Sequence, residues 1–454
     1  MTSEFITNER SFSQISVLAR LYVWSILLHP LLYFYIAHEQ MIGIGGNIAK
    51  ILELIVCLCV AFCFIFVRSY TIKIYHNTSM YWVYFFYSIV VGVFGFLFGY
   101  YHIDGSLFSE LSNQGFFNSK EIRPILEYLI TIFYFFYFVI LGAHFLSNDK
   151  IINYFFKIFF FLFYANLILG FIDLFFAFFL NIDLIHVSLI RDSSTNLRFH
   201  GLSGEPRDAF VYLLFGIGIV YLYDAWKMQK KHRPILISLS ILAAMLTVSV
   251  SGIIGMVITS FFLIFYAISM LNFKNILLVF MLVSILAIVI YLNIIYFNRY
   301  DKYLQAIPGL YTGLFSNSYP SHGVFYGQLP NIWPLYSRFL ELSEMNILPT
   351  LFGTGIGSES VINVNMSNTS DPVLNPHSQV IRLFYSSGII GSVIYVMAFY
   401  LPVYKISKIY KSKVFIYLTL LILGASLGHR SVVIFIFLGA FLAIFKQLSN
   451  NQKT

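Results

Sequence analysis

Charge is scarce in this sequence. Only 11% of its 454 residues are Asp, Glu, Lys or Arg, while 59% are hydrophobic. A soluble domain carries about 25% charged residues. Too little charge remains to keep a water-soluble surface wet, so the composition excludes such a fold and indicates an integral membrane protein. Residues 234–273 hold no Asp, Glu, Lys or Arg at all. One crossing takes about 20 apolar residues, so that run is read as two helices joined by almost no loop.

Cysteine is nearly as rare. Cys57, Cys59 and Cys63 are the only three and share one apolar run. Their spacing suits packing within a membrane helix, because a zinc or redox site needs partners at other spacings. No metal-ligand spacing stands out among the carboxylates, and no phosphate-binding glycine loop of the P-loop type occurs. Neither a metal nor another cofactor is therefore expected. The first apolar stretch lacks a small-residue cleavage site, so no cleaved signal peptide is expected. The net charge of +8 would suggest nucleic acid if it were gathered on one soluble face. Its distribution over membrane connections says otherwise, and no nucleic-acid partner is expected.

Twelve apolar segments are present, at about 15–37, 48–67, 79–101, 125–146, 151–180, 208–226, 234–249, 252–272, 275–297, 379–402, 414–427 and 430–445. The expected architecture is an all-α polytopic membrane protein, one integral membrane domain over 1–454. Its one long connection, 298–378, lies between the ninth and tenth spans and is expected to carry short amphipathic helices. Loops of that length are functional or disordered.

An even number of spans puts both termini on one side. With the termini in the cytoplasm, the inner connections hold Arg68, Lys73, Lys150, Lys227, Lys230, Lys231, Arg233, Lys274, Lys405, Lys408, Lys411 and Lys413. This is the positive-inside pattern. The expected location is the bacterial inner membrane, with 298–378 in the periplasm.

The outer side reverses the balance of cations. It holds Arg123, Arg191, Arg198, Arg207, Arg299, Arg338, Arg382 and Arg430 against Lys50, Lys120 and Lys302. Orientation needs only positive charge, which Lys supplies, so outer arginine asks for another cause. Guanidinium offers a planar fork for phosphate and carboxylate. Any single Arg can equally serve a salt bridge with an outer carboxylate. Taken together, the set suggests an anionic ligand that arrives through the membrane, as a lipid phosphate.

Three outer stretches carry the chemistry. "RDSSTNLRFHGLSGEPRDAF", 191–210, packs Arg191, Arg198 and Arg207 among Gly201, Gly204 and Pro206. Pro206 is expected to open the next helix, with Arg207 in its first turn, where an anion is favoured. The other reading is an interfacial loop anchored by basic residues. "LYSRFLELSEMNILPTLFGTGIGS", 335–358, places Leu335, Phe339, Leu342 and Met345 at helical spacing beside Arg338, Glu341 and Glu344. It is read as an amphipathic helix ended by Pro349 and lying on the membrane surface as a lid, then a flexible glycine turn. "NPHSQVIRLFYSSGIIG", 375–391, sets His377 in the first turn of the tenth span and Arg382 deeper, where an unpaired charge is costly. Arg382 therefore faces a wet cavity or pairs with a phosphate or carboxylate. A helix N-terminus disfavours the imidazolium, so His377 is read as a neutral imidazole able to accept a proton; the other reading is an interfacial polar residue. Asp173, inside the fifth segment, is a further buried-charge candidate or a helix-packing partner.

These residues resemble the O-antigen polymerase and ligase superfamily, polytopic enzymes that include the Wzy-type polymerases. The resemblance covers about 190–400 and the twelve-span layout. "RFHGLSGEP" resembles the family's Arg-x-x-Gly and Glu-Pro stretch, "LFGTGIGS" after Arg338 resembles its outer-loop glycine turn, and "PHSQVIRLFYSSGIIG" resembles its Pro-His helix. Two departures stand out: Arg207 follows Glu-Pro where Asn is frequent, and Val250 occupies the hairpin position where the family often has Arg.

The resemblance implies lipid-linked glycosyl transfer at the periplasmic face, with no metal. The donor is an oligosaccharide on undecaprenyl pyrophosphate. The acceptor is the sugar hydroxyl of another lipid-linked repeat unit for a polymerase, or lipid A–core for a ligase. The hairpin departure favours the polymerase. His377 is the expected base, with Glu205 or Asp208 as alternatives, and Arg198, Arg338, Arg207, Arg382 and Arg191 are the expected pyrophosphate ligands. Membrane lipids and a chain-length regulator are the other expected partners. A flippase or transporter also has twelve spans, but it would spread charge along the midplane and show repeat halves.

Overall fold

A computed structural model describes residues 17–31, 48–66, 72, 78–97, 122–180, 182, 184–185, 198–203, 206–227, 233–247, 347–356, 379–410, 414–428 and 431–451. They are all-helical, 91% helix with no strand. This is the outcome that a lipid environment imposes, since a helix satisfies its backbone polar groups within itself.

The helices follow the apolar runs. They are α1 (Val17–Leu28), α2 (Ile48–Phe66), α3 (Ser79–Leu97), α4 (Ile122–Tyr134), α5 (Asp149–Leu180), α6 (Pro206–Lys227), α7 (Arg233–Leu246), the short α8 (Ile347–Phe352), α9 (Gln379–Ile409), α10 (Val414–Gly428) and α11 (Val433–Asn451). Five among the described residues are long and apolar enough to cross a membrane, and five shorter apolar helices accompany them. The protein is therefore membrane-embedded and α-helical. The expected segments 252–272 and 275–297, and nearly all of the long connection, lie outside the described residues.

Burial ranks the helices. In α6, 78% of the membrane-length stretch is buried, against 22% in α2. So α6 is central, packed against α7, α10 and α11, while α2 turns Leu54, Leu58, Phe62 and Ile65 outward. That face needs a hydrocarbon solvent. Cys59 is exposed on it, whereas Cys57 is half-buried against the core.

Two helices are irregular. α4 runs through a π-helical stretch, Phe135–Leu141, into a last turn, Gly142–Phe145. π-Helical hydrogen bonding disturbs the regular ladder, and here Tyr22 of α1 donates its hydroxyl to Tyr137 O at 2.9 Å. α9 is two helices joined at Gly388, whose φ of 62° and ψ of −168° fall in a region that only glycine adopts readily.

Side-chain ties fix the direction of four helices. Trp226 Nε1, near the end of α6, donates to Gln447 Oε1 of α11 at 2.9 Å, and Gln447 Nε2 donates to Leu146 O, just past the last turn of α4, at 3.2 Å. Tyr410, just past α9, donates its hydroxyl to Phe445 O at 3.2 Å. The ends of α4, α6, α9 and α11 thus share one side of the bundle. Their starts share the other, and α5, which returns after a short turn at 146–148, finishes there.

Candidate functional site

The starting ends of α4, α6, α9 and α11 gather two polar structures. One is the connector that leads into α6. Asp173, near the end of α5, accepts the N–H groups of Leu184 (2.9 Å) and Ile185 (2.8 Å) on Oδ1. Its Oδ2 faces His200 Nε2 at 3.1 Å. The other ring nitrogen, His200 Nδ1, lies 3.1 Å from Gly201 O.

Three helices hold this connector. Phe199 N donates to Leu246 O of α7 at 2.9 Å, and Leu202 N donates to Asn166 Oδ1 of α5 at 2.7 Å. Gly201 has φ +53°, and a β-carbon on it would stand 2.5 Å from Asn166 Oδ1. That approach explains why residue 201 is glycine. Pro206 opens α6 and Arg207 and Asp208 stand in its first turn, as proline's fixed φ at a helix start leads one to expect. Arg198 and Arg207 are both half-buried. Two buried polar atoms beside them, Asn166 Nδ2 and Ser203 Oγ, make no hydrogen bond among the described residues.

The second structure is a cleft between the starts of α4 and α9. Arg382 Nη1 lies 3.8 Å from Glu127 Oε2, with both side chains buried. The distance exceeds that of a charge-assisted hydrogen bond, about 2.7–2.9 Å. Tyr84, Tyr134, Tyr395 and Phe435 form its aromatic walls, and Ser386, Ser426 and Ser431 add hydroxyls. Of the two environments expected for Arg382, a wet cavity or a pairing anion, the carboxylate is present, and Arg382 also lines the cleft.

Glycines build the side of this cleft. Thr354 N donates to Tyr385 O at 3.0 Å and Gly355 N to Ser386 O at 2.9 Å. Tyr87 of α3 bridges the two segments, donating to Phe352 O (2.8 Å) and Ser387 O (2.9 Å). A β-carbon on Gly388 would stand 2.5 Å from Leu351 C and O. The sequence stretches "LFGTGIGS" and "SSGIIG" therefore dock on each other, and Ile356 of the former lines the cleft. Two expectations need correction. The glycine turn is bound to α9 through residue 355 rather than loose. Pro349 stands inside α8 rather than ending a helix.

Of the expected site residues, Arg198, Arg207, Asp208 and Arg382 lie at this end of the bundle. His377, Arg338, Arg191 and Glu205 lie outside the described residues. Reading the sequence missed Glu127, which stands inside an apolar segment in "RPILEYL". It also missed His200 as the partner of Asp173. A third ionisable pair, His29 Nδ1 and Glu53 Oε1 at 2.5 Å, links α1 to α2 beneath the rings of Tyr134 and Phe138. Among the described residues no cluster of three or more His, Cys, Asp or Glu could hold a metal ion. The chain matches no protein-family model, and no curated protein matches it by sequence.

Proposed function

We propose that the protein is a membrane-embedded glycosyltransferase that lengthens a surface polysaccharide. It transfers a saccharide from undecaprenyl pyrophosphate to the sugar hydroxyl of another lipid-linked repeat unit, on the periplasmic face of the inner membrane. The observation that carries this reading is the shared end. Arg198 in the connector and Arg207 at a helix start that favours anions lie on the same side of the bundle as a hydroxyl-rich, aromatic-walled cleft. An anionic lipid head and a sugar would need such neighbours.

In the proposed reaction His377 takes the proton of the acceptor hydroxyl. The acceptor oxygen bonds to the anomeric carbon of the donor, whose bond to the pyrophosphate oxygen breaks. The electron pair leaves on the pyrophosphate, where Arg198, Arg207 and, from the long connection, Arg338 meet the developing charge. Buried as it is between Asp173 and the Gly201 carbonyl, His200 has both ring nitrogens engaged and is not a base.

A strain lacking the chain tests the reading through its surface polysaccharide. The expected gel pattern is a single repeat unit on the lipid anchor. Bare anchor with polymer accumulating on carrier lipid would indicate a ligase and overturn the polymerase assignment. His377→Ala should reproduce the deletion pattern at normal protein level, since a general base is worth about 10²–10⁴ in rate. Near-normal polymer from His377→Gln would remove His377 as the base and leave Glu205 or Asp208.

A further inference from the structure

The stretch 352–356 is fastened to the place where α9 is broken. Gly388 has φ 62° and ψ −168°, so the helix turns aside there. Just before it, three backbone carbonyls of α9 take partners from other segments. Tyr385 O accepts from Thr354 N (3.0 Å) and Thr354 Oγ1 (3.2 Å), Ser386 O accepts from Gly355 N (2.9 Å), and Ser387 O accepts from the Tyr87 hydroxyl (2.9 Å). In an unbroken helix those carbonyls face the N–H groups of Ile389, Ile390 and Gly391, four residues on. The same acceptors can therefore be served in two ways, by the docked stretch or by the helix's own ladder.

Glycine makes both arrangements reachable. Gly388 holds its present backbone at little cost and can equally take helical angles. In the docked stretch, Gly353 and Gly355 have φ of +86° and +104°, which other residues resist. A β-carbon on Gly353 would stand 2.5 Å from Ser387 N, so the two backbones lie directly against each other. The stretch ends at Ile356, which lines the cleft of Arg382 and Glu127 together with Leu383 and Ser386 of α9. As it stands, the cleft has a volume of about 50 Å³, room for a few water molecules. Its walls of Arg, Glu, Tyr and Ser suit a polar solute, but one of ring size has no place there while Ile356 stays put.

We propose that residues 352–356 form a strap over this cleft, and that the strap opens as α9 straightens at Gly388. Docked, it holds the break in α9 and keeps the cleft small. Released, it returns Tyr385 O, Ser386 O and Ser387 O to the helix ladder. The first half of α9, which carries Arg382, Leu383 and Ser386, then swings relative to the rest and widens the cleft. Such a hinge is a choice between two hydrogen-bond arrangements of the same carbonyls, absorbed at one glycine. The inference concerns access to the cleft. It goes beyond the glycosyl-transfer reading and does not depend on it.

Thiol labelling of the full chain in lipid nanodiscs tests it. Cys57, Cys59 and Cys63 are changed to Ala, and Ser426→Cys then places a single thiol in the cleft, at a position 4% exposed. The probe is a trimethylammonium-ethyl thiosulfonate, followed by mass spectrometry. Labelling should be slow, because it waits for the strap to open. Tyr87→Phe removes the hydroxyl shared by Phe352 O and Ser387 O and should speed labelling about threefold to tenfold, the worth of one hydrogen bond. Gly388→Ala penalises the broken backbone and should speed it about fivefold to a hundredfold. Ser240→Cys, buried in α7, reports general loosening and should stay unlabelled in every background. Rapid labelling of Ser426→Cys with the strap unaltered, a rate indifferent to both variants, or labelling of Ser240→Cys that rises in step would each overturn the inference. No donor lipid and no turnover enter the measurement. Its failure would leave the transferase reading standing, and a chain that builds no polymer would leave the strap standing.

Discussion

The connector before α6 and the cleft at the start of α9 each contain a buried pair of opposite ionisable groups, and the two pairs are built differently. In the connector both carboxylate oxygens of Asp173 and both ring nitrogens of His200 have partners. One carboxylate oxygen takes two backbone N–H groups, the other faces the ring, and the remaining ring nitrogen meets a carbonyl. In the cleft, Arg382 and Glu127 stand 3.8 Å apart beside open space. Burial alone does not tell a structural pair from a working one. The first pair fastens a loop so that its neighbours Arg198 and Arg207 are presented at a fixed place. The second lines a cleft between the starts of α4 and α9.

If that contrast holds, stability and function should separate between the two regions. The largest expected effect is on stability. Asp173→Ala strips the partner from His200 and the acceptor from two N–H groups, and breaking one member of a buried pair costs about 3–5 kcal/mol. Thermal unfolding in detergent should fall sharply. An unchanged midpoint would mean the connector is not fastened through Asp173. Next comes Gly388→Ala, which forces a side chain into a backbone conformation costing about 1–3 kcal/mol and presses a methyl group on Leu351. Melting should drop and the 353–355 turn should lose protection from hydrogen exchange, while residues 198–203 keep theirs. Equal loss at both places would deny that the regions are separate units.

Smaller in stability but large in function is Arg198→Lys. The charge stays and the planar fork is lost, so the protein should melt normally and make little polymer. Full polymer at normal protein level would reduce Arg198 to a surface charge. Smallest of all is Tyr87→Phe, which removes one hydroxyl shared between Phe352 O and Ser387 O. About 1 kcal/mol is expected, measured as a modest fall in melting temperature with the connector unaffected.

How much of this could be read in the sequence varied with how local the cause was. Helix positions followed from apolar length, and the start of α6 followed from Pro206, because both are decided within a few residues. Asp173 was legible as a buried charge, yet its partner was not, since His200 reaches it across a loop whose path no local rule predicts. Glu127 was hidden for a different reason. A lone carboxylate inside an apolar run reads as part of a span until another helix brings Arg382 beside it. The glycines of "LFGTGIGS" and "SSGIIG" were visible, but each reads alone as a turn or a packing site. Only their mutual docking shows why the backbone at 353 and 388 must lack side chains.

The central claim, sugar transfer from a polyprenyl pyrophosphate, is tested most directly with the purified chain in liposomes. It is supplied with lipid-linked repeat units and with neither nucleotide sugar nor added metal. The account predicts a ladder of lengthened saccharides and one undecaprenyl pyrophosphate released for each linkage formed, both absent in His377→Ala. Repeat units that cross the bilayer without lengthening, in a preparation of folded protein, would contradict it and mark the chain as a transporter.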